Sequence, residues 1–393
     1  MSTQTEALSS VPIFAVSPAV RRQSRLLTGA VARIFAADFA AMCSFYLLLS
    51  VVPLYSTERG LGTAGAGLST GVLMFAAVAG EMATPLLAAR IGFRRLLMGG
   101  LVLLGVPALG FPAASSLLAV MLLSVVRGLG FAVVVVAVSA MAAAAIPAER
   151  RGEGLGALGV VAMLPAVLTL PLGVWMAGVA GYAAVFAIAA AAALLAVIPI
   201  ATLREAGIGE SHQGLGASLR RPAILRPTLV FTATAVASGV VVAFLPSAAS
   251  REIAAAALLI QAATATLARW FAGRHSDRHG PVGMLLPAAA LCALGIGAAA
   301  LTGSGIAVLG GMAVFGTGFG IAQAASLNTM LARVSAAHYG AVSAIWNAAY
   351  DLGWGAGATG IGVVASTAGY PAAFLAAALL VLAVLPLARR GRG

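Results

Sequence analysis

The sequence predicts an all-α membrane protein of twelve transmembrane helices in two six-helix, pseudo-symmetric halves. Three observations carry that reading. Hydrophobic residues make up 61% of the 393 and charged residues 9%, with a mean hydropathy of +1.05, far outside the soluble globular range. Apolar stretches of about 20 residues follow one another along the chain, each long enough to cross a hydrocarbon core of roughly 30 Å. The chain also matches itself. At an offset of 188 positions, Ala89-Arg90-Ile91-Gly92 falls on Asp277-Arg278-His279-Gly280, and Arg127-Gly128-Leu129-Gly130-Phe131 falls on Phe315-Gly316-Thr317-Gly318-Phe319.

The expected spans of the first half lie at 30–54, 64–88, 95–113, 116–145, 154–178 and 180–203. Those of the second lie at 224–249, 252–272, 282–303, 305–332, 341–366 and 370–388. The first span carries a stripe of Asp38, Met42 and Tyr46, then Pro53, which matches Pro246 of the seventh at a spacing of 193. Glu81 lies in the second span, Arg127 in the fourth, Pro171 and Gly173 in the fifth, and Asp351 in the eleventh. Glycines and prolines within the spans argue against soluble helices, but membrane helices packed on one another tolerate both. The expected organisation is a tail at 1–29, a half at 30–203, a linker at 204–222, a half at 223–388 and a tail at 389–393. The opening residues lack a short apolar core followed by a small-residue cleavage site, so they read as a cytoplasmic tail and not a signal peptide.

The net charge of +12 rests on 23 arginines, with no lysine. Clusters at 21–25, 90–95, 150–151, 204–226, 274–278 and 389–392 fall on one side of the expected spans, and only Arg59 and Arg251 on the other. That is the positive-inside asymmetry, and it places both termini in the cytoplasm. A nucleic-acid partner is excluded, because short clusters between apolar spans supply no continuous basic face. Cys43 and Cys292 lie inside apolar spans without metal spacing. The stretch GRHSDRHG (273–280) reads as a tight cytoplasmic turn; His275, Asp277 and His279 at i, i+2, i+4 would suit a metal only on a strand. GLSTG (67–71) and GLGALG (154–159) fit a nucleophile elbow and a dinucleotide fingerprint, but neither follows a strand, so both read as close helix packing. No enzyme activity, metal or cofactor is expected.

These features resemble the major facilitator superfamily. The loop after the family's second helix reads G-x-x-x-D-R-x-G-x-R, with an echo after the eighth. Gly273, Asp277, Arg278 and Gly280 keep that pattern here; Arg90, Gly92 and Arg94 keep part of it, with Pro85 and Ala89 in place of Gly and Asp. PAERRGEGLGALG (147–159) is similar to the family's loop between helices 4 and 5, and GAVSAIWNAAYDLGWGAGATGIG (340–362) to its helix 11. The resemblance implies that Asp277 and Arg278, with Arg90, Gly92 and Arg94, form a conformational latch. Pro171 and Gly173 match part of the proline-glycine motif of the family's antiporters, which implies a hinge in the fifth helix. Arg127 matches the family's fourth-helix arginine, which implies a part in proton coupling.

Charges inside a bilayer cost at least about 2.5–3.5 kcal/mol each, so each needs a reason. Asp38, Glu81, Arg127 and Asp351 are therefore the expected proton-coupling groups. Asp38 and Arg127 form the first expected pair, because helices 1 and 4 adjoin in the resembled fold. Glu81 and Asp351, at comparable depth on helices 2 and 11, form the second, read as a protonation-sensitive gate. Asn347 and Asp351 share one face of a helix, and Trp346, Tyr350 and Trp354 follow the same spacing beside them. Aromatics beside an acid and an amide suit a cationic or amphipathic organic substrate. Tyr46, Phe131, Trp346, Asn347 and Tyr350 are the expected substrate contacts; the facing of Gln261, Gln323 and Asn328 stays open.

The expected function is secondary active transport. The resemblance implies proton-coupled efflux of a small organic compound, a drug or secondary metabolite, by a monomer in the bacterial inner membrane. A nutrient or sugar carrier is the alternative, and a non-transporting membrane receptor a further one. The expected partners are the small-molecule substrate, protons and the lipid bilayer.

Overall fold

The computed structural model describes residues 27–147, 151–203, 222–281, 283–334 and 339–389, which form helices joined by short turns with no strand among them. The helices are α1 (Gly29–Glu58), α2 (Gly62–Ile91), α3 (Phe93–Gly105, continued by a 3-10 helix Val106–Ala113), α4 (Leu117–Ala145), α5 (Arg151–Val179) and α6 (Tyr182–Leu195, extended by Val197–Ala201). They continue as α7 (Pro222–Ala248), α8 (Arg251–His279), α9 (Leu285–Ala299), α10 (Gly305–Leu331) and α11 (Tyr339–Ala383), with a last short helix Leu385–Arg389. Ten helical stretches among the described residues are long and apolar enough to cross a membrane, and α9 is a shorter apolar helix. One of the ten, Val342–Ala388, runs through α11, which turns sharply at Gly369 (φ 85°) where two spans were expected. Leu118, Val160, Ile198, Leu294 and Ile306 are exposed on the outside of the bundle, where lipid would cover them. Residues 204–221 of the linker expected at 204–222, residues 1–26 and residues 390–393 lie outside the described residues, and Pro222 already belongs to α7.

One boundary differs from expectation. Residues 273–279, read as a turn, are the last two turns of α8, and the chain turns only at Gly280 (φ 81°). Arg278 and His279 occupy that last turn, where positive charge complements the helix dipole. The His275 and His279 rings stack with centroids 4.6 Å apart, a helical i, i+4 relation and not a strand. Among the described residues no three histidines, cysteines or acids gather as metal ligands.

The internal repeat is written into the turns and contacts of the structure. Ser116 and Ser304, 188 positions apart, each cap a helix by accepting a hydrogen bond from the backbone N–H three residues on, at 3.2 and 3.3 Å. Gly92 and Gly280 end α2 and α8 in the same left-handed conformation, φ 84° and 81°, and Gly181 and Gly369 open the next pair at φ 80° and 85°. A side chain at these positions would be strained, which is why glycine recurs at the same offset. Closer in, a Cβ at Gly128 would run into the Leu73 carbonyl, and one at Gly316 into the Gln261 carbonyl. Gly130 presses on Gly100 and Leu104 of α3, and Gly318 on Ala288 and Cys292 of α9. Every partner in these pairs is again displaced by 188. The repeated glycines therefore let α4 lie backbone-to-backbone on α2 and α3, and α10 on α8 and α9, the small-residue contact that drives helix association in lipid.

The halves meet where α2 packs on α11, α5 on α8 and α1 on α7. Gly67 admits the Ala358 carbonyl and Gly71 the Thr359 hydroxyl, so α2 and α11 touch closely near the α1–α2 turn. On that same end Arg251 donates to Glu58 at 2.6 Å, an exposed ion pair joining α8 to α1. Glu58 and Arg251 stand 193 residues apart, the offset of Pro53 and Pro246, so the bond crosses the pseudo-two-fold axis.

Overpacking at these contacts costs typically about 1–3 kcal/mol. Gly128→Val and Gly316→Val are each expected to lower the melting temperature of the detergent-purified protein by several degrees. Gly99→Ala, whose Cβ would meet nothing within 4 Å, is expected to leave it unchanged. Fluorescence-detected thermal unfolding checks all three.

Candidate functional site

A cavity opens between the halves, bounding about 530 Å³ of empty space out to its mouth. Tyr46 of α1, Met163, Ala166 and Leu170 of α5, and Ser238 of α7 line one part of it. Gln261, Ala265 and Arg269 of α8, Phe319 and Gln323 of α10, and Tyr350 and Trp354 of α11 line the rest. Both halves thus supply its wall, as expected of a site between parallel repeats. Its floor is apolar and aromatic, with a few polar groups that can orient a ligand.

Arg269 is the one charged side chain on that wall among the described residues, and it was not among the residues singled out from sequence. Its Nη1 donates to Gln323 Oε1 at 2.9 Å, and its guanidinium carbon lies 5.7 Å from the centre of the Trp346 ring. Trp346 is itself fixed, donating to Ser326 Oγ at 2.9 Å and stacking on Phe231 at 4.6 Å. Arg269 escaped notice because it sits near the end of its expected span, where a lone arginine reads as an interface residue. The repeat held the missing signal: an offset of 188 places Arg269 on Glu81.

Of the expected substrate contacts, Tyr46 and Tyr350 line the cavity. Trp346 stands behind it as the support of Arg269. Phe131 does not reach it: the ring is buried and stacks on Phe45 at 3.8 Å, filling the core between α4 and α1. Asn347 is half-buried and does not line the cavity. Trp354 and Gln261 belong to the wall, and Asn328 does not. The acid expected beside the aromatics, Asp351, is absent from the wall as well.

Asp351 instead meets Glu81. The two carboxyl groups come into hydrogen-bond contact between α2 and α11, with Asp351 buried and Glu81 half-buried. At 1.5 Å per residue both lie about 15–18 Å from the end of the bundle that carries the α2–α3 turn. Two carboxyl groups in contact are held together by one shared proton and driven apart when both are ionised, all the more in low dielectric.

Asp38 and Arg127 are not a pair, which corrects the first expectation. Arg127 is fully buried and spends its guanidinium on carbonyls, donating from Nε to Leu104 O and from Nη2 to Ser44 O, both at 3.1 Å. Ser44 lies six residues beyond Asp38 on α1, about 9 Å along the axis. The adjacency of helices 1 and 4 brought the two together on paper; height along α1 separates them, since Arg127 reaches α1 at Ser44. Asp38 is buried, and its Oδ2 has no hydrogen-bond partner among the described residues. Arg127 thus acts as a clamp between α1, α3 and α4.

The expected latch and hinge look different in place. Arg94 donates to the Ala201 and Leu203 carbonyls at 3.0 Å each, tying the start of α3 to the end of α6 within its own half. Arg90 and Arg278 are exposed, Gly92 and Gly280 make their turns, and a Cβ at Gly273 would meet nothing. The Asp277 side chain lies outside the described residues. Pro171 sits inside α5 without interrupting it. Gly173 faces α1, where a Cβ would come 2.5 Å from the Leu47 carbonyl.

Because Asp38 and Arg127 share no contact, their substitutions are expected to add. A double-mutant cycle of Asp38→Asn and Arg127→Met, read by thermal unfolding with denaturant, should give a coupling below about 0.5 kcal/mol. The Arg127→Met member alone should be strongly destabilised, since it strands two buried carbonyls.

Comparison with known proteins places this geometry. Residues 34–358 match the Major Facilitator Superfamily. Among solved structures, a bacterial homologue of the human lysosomal transporter Spinster, inward-facing and unoccupied, superposes with a TM-score of 0.78 at 14% identity, covering 92% of this chain and 97% of that one. A mutant of the nucleoside transporter NupG gives 0.75 at 13% identity, over 93% of this chain and all of that one. The xylose transporter XylE from E. coli, partially occluded and inward-open, gives 0.71 at 15%, over 93% and 98%. No curated protein sequence matches the chain. With the family matched over most of its length, a bundle of apolar helices and a cavity between its halves, the chain belongs to the Major Facilitator Superfamily, a family of membrane transporters.

Proposed function

We propose that this transporter is a proton-coupled secondary carrier that exports a small organic compound by alternating access. The observation that carries the reading is the contact of Glu81 with Asp351 across the α2–α11 interface. A proton bound there holds the two halves together; its loss frees them. Proton movement down its gradient, about 2.3 kcal/mol per charge per 100 mV, then drives the exchange of access. Asp38, buried with an unpartnered oxygen, is a second proton acceptor on the path, and Arg127 contributes by fixing α1 against α3 and α4.

In this reading the rocking units are 30–203 and 223–388, joined by 204–222, and Gly67 and Gly71 let α2 pivot on α11. Pro171 and Gly173 supply flexibility in α5, and Arg90, Gly92, Arg94, Gly273, Asp277, Arg278 and Gly280 shape the loops that close one face. The protein works as a monomer in a bacterial plasma membrane with both termini in the cytoplasm. Import of a nutrient by the same machinery is the second reading, because an acid pair shared between the halves serves symport as well as antiport.

The test uses inside-out vesicles, acidified inside and loaded with a pH-quenched dye, challenged with cationic, neutral and anionic compounds. Compounds that are substrates should dequench the dye in the wild type. Asp351→Asn and Glu81→Gln should each lower that signal at least tenfold, while substrate exchange without a gradient persists. Dequenching unchanged in both variants would contradict the proton site.

A further inference from the structure

We propose that the cavity selects small organic anions, seating a carboxylate or similar oxyanion on Arg269 and an apolar body on Met163, Leu170 and Phe319. The inference deepens the transport reading and rests on it, since it names the substrate class of the same cavity.

Three observations converge. First, Arg269 keeps its charge on the cavity wall with only neutral company. Its contacts are the Gln323 amide oxygen and the Trp346 ring, and no carboxylate lies within ion-pair distance among the described residues. A guanidinium at membrane depth with no anionic partner is costly, and a bound oxyanion offsets that cost through paired charge-assisted hydrogen bonds.

Second, two residues of the cavity wall carry polar atoms that are shielded and unpartnered. Trp354 Nε1 and Ser238 Oγ are buried behind its surface without hydrogen-bond partners among the described residues, and the two residues are 3% and 1% exposed. An indole N–H can only donate. Leaving it unpaired costs about 1–3 kcal/mol, a cost that a side-chain shift on ligand entry would relieve by turning the N–H to a ligand acceptor. Third, no acidic side chain lines the wall among the described residues, because Asp351 is engaged with Glu81 and Asp38 lies outside it. The cationic substrate expected from sequence would therefore face a guanidinium on the wall itself, with the carboxyl groups of Asp351 and Asp38 set behind Tyr46.

The repeat sharpens the point. Glu81 and Arg269 occupy the same place in the two halves, as do Met163 and Asp351. One interface, α2 with α11, pairs two acids. Its counterpart, α8 with α5, puts an arginine beside Met163 on the cavity wall. One half-interface is built for protons and the other for an anion. For an exporter the charge sign is favourable too: an anion leaving a negative interior and a proton entering it both move with the membrane potential.

The test compares three matched probes on purified full-length protein in lipid nanodiscs: 1-naphthoate, 1-naphthamide and 1-naphthylmethylammonium. Binding is read by tryptophan quenching and by ligand-induced thermal stabilisation, without any gradient. Naphthoate should bind at least tenfold more tightly than either relative. Arg269→Gln should abolish that preference, and Arg269→Lys, which restores charge without the fork, should recover part of it. Wild type that binds amide or amine as well as naphthoate, or binds none of the three, would overturn the proposal. So would a preference surviving in a folded Arg269→Gln. Because the assay involves no proton movement, its failure leaves the Glu81–Asp351 reading standing, and loss of dequenching in vesicles would not disturb the anion preference.

Discussion

In a bilayer a charge has no water to fall back on, and every buried ionised group must be given a partner or a task. This chain places few charges in its core and answers the constraint in three ways. Arg127 is spent on two backbone carbonyls and becomes structure. Glu81 and Asp351 are set against each other, an arrangement stable only with a proton between them. Arg269 is supported from behind by Gln323 and Trp346 and left facing an open cavity. A clamp, and with it the proposed proton site and ligand seat, answer a single energetic demand with different neighbours.

Those neighbours are positioned by close packing. Gly128 and Gly316 bring α4 and α10 onto α2 and α8, and so fix the helices that carry Glu81 and Arg269. Gly67 and Gly71 bring α2 onto α11, within whose contact Glu81 meets Asp351. The halves share a backbone plan to the level of caps and glycine contacts but diverge at the functional positions. The repeat gives both halves one scaffold, and equivalent positions carry different residues, Glu81 against Arg269 and Met163 against Asp351.

Much of the fold was legible beforehand. Segment hydropathy locates the helices to within a few residues, and the 188-residue offset foretells Gly92 with Gly280 and the paired glycines of α4 and α10. The meeting of Glu81 and Asp351 was legible too, because equal depth on facing helices leaves little choice. Adjacency alone failed for Asp38 and Arg127: neighbouring helices touch along much of their length, and Arg127 meets α1 at the Ser44 carbonyl, six residues beyond Asp38. Phe131 failed for a different reason, direction around its helix, which hydropathy does not give: it turns to Phe45 and not to the cavity. Arg269 was missed because arginines near span ends usually serve topology, and only the repeat register sets it apart. The end of α8 was misjudged because GRHSDRH is polar, and polarity was taken for a turn although nothing in it breaks a helix.

The account turns on whether the carboxyl contact holds the halves together through a proton. The most direct measurement is a pulsed electron–electron distance distribution between spin labels at Ala89 on α2 and Ala344 on α11. Cys43 and Cys292 would be replaced by alanine and the protein reconstituted in nanodiscs. At acidic pH, where the pair shares a proton, the distribution should be short and narrow. At alkaline pH it should lengthen by several ångströms, while Glu81→Gln, which can donate to an ionised Asp351, should stay short throughout. A wild-type distribution indifferent to pH, or one that moves equally in Glu81→Gln, would contradict the account.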